Sequence, residues 1–236
     1  MKVGAIIPAA GRGKRIGASV AKQFLEIQGE PLLHHTLKVF ASSKLIDYVV
    51  LVMPKSDLNE MGDDWLNKYE IVRGVVAGGE QRQDSVYNGF NSLEKATDIV
   101  VIHDGVRPFT TPKMIDTVVE EAKQHGSAIT AIPVSDTIKQ VSDGFVKQTV
   151  PREGLWRVQT PQAFQYGLLK QAFKKAKEDS YYGTDEGGLI EYLGERVKIV
   201  LGSERNIKIT QKEDLALAKN IFLSIKNNIS FEYFLF

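Results

Sequence analysis

Along this 236-residue chain the apolar positions follow two rhythms. Short, mainly apolar runs at 3–7, 48–53, 71–76, 98–104, 128–133 and 197–201 have the composition of buried strands. Between them, apolar residues recur at helical spacing over 31–40, 58–66, 86–93, 112–125, 168–177, 185–193 and 211–225. In the first of these helices Leu33, Leu37 and Phe40 share a face, and Pro31 suits the first turn. His34 and His35 are adjacent and must point in different directions. That predicts one packed and one solvated histidine rather than a metal pair. Asp84 and Ser85 are predicted caps for 86–93, and Thr184 or Asp185 for the helix ending at Leu193. Strands separated by helices imply an α/β fold, a mostly parallel twisted sheet with helices on both faces and right-handed crossovers.

The rhythm changes at Val134. Residues 135–141 and 145–150 alternate polar with apolar around Asp143-Gly144, a hairpin signal. An isolated two-stranded ribbon is marginal in water. Residues 134–152 are therefore expected to form a protruding arm that packs on a partner subunit, which predicts a homodimer. The stretch 155–164 (LWRVQTPQAF) is assigned no element. The tail, 230–236, is aromatic and apolar, and docking and fraying are both open to it. There is no internal repeat, and residues 1–236 read as one domain.

Composition narrows the function classes. An apolar fraction of 43% and a charged fraction of 25% are ordinary for a globular protein. A net charge of +1 gives no basic field for nucleic acid. With no cysteine, a thiol nucleophile, a thiolate metal site and a disulfide scaffold are excluded. This fits a cytoplasmic location. No signal peptide or membrane-spanning run is expected.

The chemistry concentrates in residues 3–24. The apolar run breaks at Pro8 into Ala9-Ala10-Gly11-Arg12-Gly13, followed by Lys14, Arg15 and Lys22. Glycines let backbone N–H groups approach an anion, and the cations neutralise it. Gly11, Gly13 and Gly17 are spaced G-x-G-x-x-x-G, not the G-x-G-x-x-G of a dinucleotide fold, and the P-loop pattern is absent. A nucleoside triphosphate, whose pyrophosphate must be neutralised to leave, explains the cations better. A second glycine loop, Gly78-Gly79-Glu80-Gln81-Arg82-Gln83-Asp84-Ser85, and a strand-end Asp104 beside Arg107 and Pro108 strengthen this reading. Asp104 is the candidate ligand for Mg²⁺, which takes few protein ligands and several phosphate oxygens. His103 reads as a structural strand-end residue. Tyr181 and Tyr182 read as loop packing, and Trp156 as interface core.

These segments, with Lys22-Gln23-Phe24, Asp136-Thr137-Ile138-Lys139, Thr160-Pro161-Gln162-Ala163-Phe164, Thr184-Asp185-Glu186 and Asn206-Ile207-Lys208-Ile209-Thr210, occur in an order that closely resembles the 2-C-methyl-D-erythritol 4-phosphate cytidylyltransferase family of the non-mevalonate isoprenoid pathway. The resemblance covers about residues 2–219. It implies a Rossmann-like nucleotidyltransferase fold, a homodimer joined by the arms, and a divalent cation. It implies that Ala9, Ala10, Gly11 and Gly13 line the CTP through their backbones. Arg15 and Lys22 would hold phosphates, and Gly79, Arg82 and Ser85 the cytosine and ribose side. Asp104 would bind magnesium or ribose, with Arg107 supporting its loop. Thr137, Arg152, Thr184 and Lys208 would hold the sugar phosphate and the reacting α-phosphate, with Arg152 reaching in from the partner's arm. Arg15, Lys22 and Lys208 would be the catalytic cations.

The resemblance implies in-line attack of the acceptor phosphate on the α-phosphorus of CTP, with no general base. Gly105-Val106 departs from a commoner pair of alanines, and Gly187-Gly188 stands where alanine and serine are frequent. A ribitol 5-phosphate cytidylyltransferase shares most of these motifs, and the run Arg152-Glu153-Gly154-Leu155-Trp156 resembles the isoprenoid enzyme more. A nicotinamide-dependent reductase is disfavoured by the glycine spacing. A silent nucleotide sensor would lack Lys22, Asp104 or Lys208, and all three are present.

Overall fold

In the computed structural model, which describes residues 1–11, 21–59 and 69–226, the opening run forms strand β1 (Val3–Pro8). A short pair, β2 (Glu26–Ile27) and β3 (Glu30–Pro31), leads into helix α1 (Leu32–Ala41), and β4 (Tyr48–Met53) follows. Then come β5 (Val72–Ala77), α2 (Arg82–Asn91), β6 (Ile99–Ile102), α3 (Pro112–His125) and β7 (Ser127–Pro133). The second half contains β8 (Ile138–Ser142), β9 (Phe145–Val150), β10 (Trp156–Gln165), α4 (Tyr166–Glu178), α5 (Glu186–Leu193), β11 (Lys198–Leu201) and α6 (Lys212–Lys226). Of the expected helix 58–66 only a 3-10 turn, Asp57–Asn59, is described. The rest of it, and the tail 230–236, lie outside the described residues.

Among the described residues the central sheet has seven strands in the order β11-β7-β10-β6-β1-β4-β5. β1 lies at its heart, parallel to β4 and to β6. The expected mostly parallel sheet is therefore observed, with one antiparallel strand, β10, between β6 and β7. β10 occupies the stretch that had been assigned no element. Gln159-Thr160-Pro161-Gln162 interrupts its alternation, and the ladder shifts register between Val158 and Gln162, where a proline costs no ladder bond.

Alternation along the strands divides the core into two layers. Val3, Ala5 and Ile7 of β1 and Val49, Leu51 and Met53 of β4 pack against Leu33, Leu37 and Phe40 of α1 and Ile115, Val118 and Val119 of α3. Ile6, Val50, Val52, Val100 and Ile102 face the other way, onto Val86 and Phe90 of α2 and Leu169 and Phe173 of α4. A third cluster joins Ile27, Leu32, Val106, Phe109, Ile209, Ala218 and Ile221, so α6 is packed beside the loop that leaves β6.

α1 corrects one expectation. His34 and His35 are both buried. α6 and the β2–β3 pair cover the face that a surface helix would leave to water. The His35 ring lies 4.5 Å from that of Phe222, and its Nε2 donates to the Ile27 carbonyl at 2.9 Å. His34 meets Tyr69 edge-on at 5.2 Å.

β8 and β9 form a separate two-stranded sheet, the expected arm. Asp143 (φ 53°) and Gly144 (φ 82°) both take left-handed conformations, as a tight two-residue hairpin turn requires. Phe145 is 79% exposed at its tip, with Val141 and Val146 also exposed. Trp156, expected in interface core, is half-exposed in this single chain.

Leu37 is fully enclosed between α1 and the sheet. Leu37→Ala should destabilise the fold by about 2–5 kcal/mol, read from urea unfolding midpoints at unchanged slope.

Candidate active site

Parallel strands deliver their carboxyl ends to one edge of the sheet, and three loops leave there side by side. Ala9 donates its N–H to the Val52 carbonyl at 2.7 Å, Gly78 to Met53 at 2.8 Å, and His103 to Ile6 at 3.1 Å. The first two loops interlock. A Cβ on Gly78 would lie 2.4 Å from the Cβ of Ala10, and one on Gly79 would lie 2.3 Å from the Cβ of Asp84. Only glycine permits that approach.

α2 begins at Arg82, four residues before the sequence-based start. Asp84 and Ser85 thus lie in its first turn instead of capping it. The Asp84 carboxylate accepts the Gln81 N–H at 3.0 Å, which supports the turn from its third position. Ser85 Oγ accepts the Gly79 N–H at 3.0 Å and donates to the Gln81 carbonyl at 3.1 Å. The early start points Arg82 across the sheet edge.

Ala9, Ala10, Gly11, Lys22, Gly79, Arg82, Ser85, Asp104 and Lys208 line one cavity of about 220 Å³. Arg82, Asp104 and Lys208 also line a second cavity of about 220 Å³, with Arg107 and Thr184. The two meet over Asp104. Arg15 and Gly13 lie outside the described residues. Thr137 and Arg152 line neither cavity. Both are exposed near the base of the arm, where Arg152 donates to the Ser135 carbonyl.

Asp104 is buried among three cations. Lys208 Nζ lies 2.9 Å from Oδ2, Arg107 Nε 3.3 Å from Oδ2, and Arg82 Nε 3.6 Å from Oδ1. Burial alone would raise the Asp104 pKa, but Lys208, Arg82 and Arg107 together hold it well below the usual carboxylate range. Burial pulls Arg82 down, yet Glu186 and Asp104 more than offset this and keep it cationic. Arg107 Nη1 also donates to the Asn206 carbonyl at 2.7 Å, and Ile209 donates its N–H to Val106 at 3.0 Å. These two bonds hold the segment carrying Lys208 against the loop carrying Asp104.

A model of the 2-C-methyl-D-erythritol 4-phosphate cytidylyltransferase family matches residues 3–224. The chain belongs to that family. It is 48% identical over 221 residues to the enzyme of that name from Syntrophus aciditrophicus, spanning 92% of this chain and 94% of that relative. It is 43% identical over 217 residues to the one from Clostridioides difficile, spanning 92% of each. The solved structure of 4-diphosphocytidyl-2C-methyl-D-erythritol synthase from Anaerococcus prevotii is similar, with a TM-score of 0.82 and 33% identity, covering 94% of this chain and 98% of that one. The chain is thus a cytidylyltransferase, and the reductase and sensor readings fall away.

Two residues of this cytidylyltransferase site, Glu186 and Thr160, receive no role from local pattern. Glu186 is 1% exposed and accepts from Arg82 Nη1 through both oxygens, at 2.8 and 2.9 Å. Its place after Thr184-Asp185, a helix-start motif, was the available hint. Asp185 caps α5 by accepting the Gly188 N–H at 3.0 Å. Thr160 closes a buried relay. The Asp104 N–H donates to its Oγ1 at 3.0 Å, its hydroxyl donates to His103 Nδ1 at 3.0 Å, and His103 Nε2 donates to the Arg107 carbonyl at 3.1 Å. A carbonyl can only accept, which fixes the histidine tautomer.

Among the described residues no three His, Cys, Asp or Glu side chains cluster as a metal site. Asp104 Oδ1 lies 3.6 Å from Arg82 Nε, longer than a hydrogen bond. One carboxylate oxygen of this kind fits Mg²⁺ held mainly by phosphate.

Burial pushes His103 down to about 4, so it is neutral at pH 7. Its folded pKa lies below its ordinary 6.5, so the stability it contributes is complete above pH 6.5 and is lost as pH falls toward 4. The loss amounts to roughly 3 kcal/mol at most. His103→Gln should flatten the slope of unfolding free energy against pH in that window. An unchanged slope would assign the acid sensitivity to other groups.

Proposed function

We propose that the chain transfers the cytidylyl group of CTP to 2-C-methyl-D-erythritol 4-phosphate, forming 4-diphosphocytidyl-2-C-methyl-D-erythritol and pyrophosphate. The observation that carries this reading is the meeting of two cavities on Arg82, Asp104 and Lys208. A phosphoryl-transfer site must offer donor and acceptor opposite approaches to one phosphorus atom.

The cavity with both glycine loops and Lys22 takes CTP. The cavity with Thr184 takes the acceptor. A phosphate oxygen of the acceptor bonds to the α-phosphorus, the bond to the bridging oxygen breaks, and the electron pair departs with pyrophosphate. The acceptor phosphate is largely ionised at neutral pH, so no proton need be removed. His103 is not a base for this step. It is fully buried, neutral, and engaged at both ring nitrogens. Lys208 and Arg82 would stabilise the charge that accumulates on the α-phosphate, and Lys22, which lines the CTP cavity, would offset charge on the leaving group, the role the family resemblance also gives to Arg15. Mg²⁺ on Asp104 and the phosphates would supply further neutralisation.

The arm, 134–152, joins two copies. Its apolar side chains, exposed in the single chain, support this, as does the fact that Thr137 and Arg152 line neither cavity of their own chain. Each active site then receives Arg152 and Thr137 from the partner. The whole chain acts as one domain, with the cytoplasm as its location. Among the described residues no helix is long and apolar enough to cross a membrane.

Pyrophosphate release measured with CTP, Mg²⁺ and either methylerythritol 4-phosphate or ribitol 5-phosphate tests the reaction. Release only with the ribitol compound would overturn the acceptor, and release with neither would overturn the activity. Lys208→Ala should lower kcat roughly 10²-fold or more while CTP affinity changes far less. Equal losses would argue against a transition-state role. Inactive Arg152→Ala and Lys22→Ala subunits, mixed, should regain activity, because one site in each mixed dimer is intact. No recovery would count against a shared site.

A further inference from the structure

Gln23 lies in the three-residue 3-10 helix Lys22–Phe24 and lines the same cavity as Lys22, Gly11, Asp104 and Lys208. Its side chain is fully buried. Neither Oε1 nor Nε2 has a hydrogen-bond partner among the described residues. A buried carboxamide left unpaired loses the hydration it had in the unfolded chain and gains nothing in return.

Other buried glutamines in this fold behave differently. Gln159 donates from Nε2 to the Ser203 carbonyl at 2.8 Å and accepts the Ser203 N–H at 3.2 Å. Gln162 donates to Asp185 Oδ2 at 2.6 Å and accepts the Gly187 N–H at 3.3 Å. Both of these amides find partners for oxygen and nitrogen in their own walls. Gln23 finds none and borders the cavity that receives CTP.

We propose that Gln23 is a nucleotide-binding residue whose Nε2 donates to a β- or γ-phosphate oxygen of the bound triphosphate. Chain adjacency supports the phosphate end. Lys22, the next residue, runs along the first glycine loop, with its Cε 3.4 Å from the place a Cβ on Gly11 would occupy. A hydrogen bond to an ionised oxygen is stronger than a neutral one, and stronger still in a dry cavity. Oε1 can take a water brought in with the ligand. The proposal rests on the CTP reading of this cavity.

Gln23→Leu separates the two roles that a buried amide can have. Removing two unpaired polar atoms should leave the melting temperature of the free protein unchanged or raised. CTP and inorganic pyrophosphate should each bind roughly tenfold or more weakly, by titration calorimetry and by product inhibition respectively. A lowered melting temperature with unchanged affinities would make Gln23 a packing residue and overturn the proposal. Loss of CTP affinity alone would overturn the phosphate contact. If the leucine variant fails to fold, Gln23→Asn keeps the amide and shortens its reach by one methylene. It should lose affinity for both ligands, and unchanged affinities would overturn the proposal. If the unaltered protein fails to bind CTP, the CTP reading fails with it. Equal binding by the unaltered and altered proteins removes only the role of Gln23.

Discussion

A carboxylate cannot stay ionised inside a protein without compensation, and Asp104 is buried and ionised. Of the cations that compensate it, Arg107 stands three residues after it in the same loop, and the other two come from distant parts of the chain: Arg82 at the start of α2 and Lys208 ahead of α6. Each of these segments is therefore drawn to the carboxyl end of β6. Arg82 brings the second glycine loop with it. Lys208 brings the segment before α6, which the third apolar cluster then packs down. Asp104 is the point at which the requirement to neutralise a charge becomes a requirement on tertiary structure.

That arrangement leaves cations in excess. Around one carboxylate stand three positive side chains, and Glu186 takes up part of Arg82. The remaining positive charge is aimed at two cavities that meet over the same carboxylate. A site built this way is at rest an ion-pair network and, with ligands present, a charge sink for phosphate. The glycine loops complete it with backbone donors, because Gly78 lets the second loop approach Ala10 of the first, and Gly79 lets its own loop fold onto Asp84, more closely than any side chain would permit.

What local pattern could carry, it carried. β4, α3 and the arm were legible because each depends on its own periodicity or turn residues: an uncharged run, a proline-started helix, and an Asp-Gly turn. The second glycine loop was legible for the same reason, as was the break after Pro8 that opens the first. β10 was not, because its strand character is broken at Pro161 and is supplied by β6 and β7 on either side. The start of α2 was misplaced because Asp84 looks like a cap and acts from inside the first turn. Two buried histidines on α1 could not be foreseen without knowing that α6 returns to cover His35 and that Tyr69 packs on His34. Glu186 meets Arg82 across 104 residues of sequence, a distance over which no window-based rhythm carries information.

The polar groups around Asp104 divide by charge into two kinds with different duties. The cations act on its carboxylate oxygens and face the cavities. The neutral relay through Thr160 and His103 acts on its backbone N–H and returns to the Arg107 carbonyl. A charged group in the relay's place would compete with the cations for the carboxylate and add a proton to a reaction that needs none. Burial keeps His103 uncharged and so keeps the relay silent electrostatically, which leaves it free to set position alone. A base is missing from this site for the same physical reason that the histidine is present in it: position is fixed by neutral hydrogen bonds, and the chemistry is left to fixed positive charge.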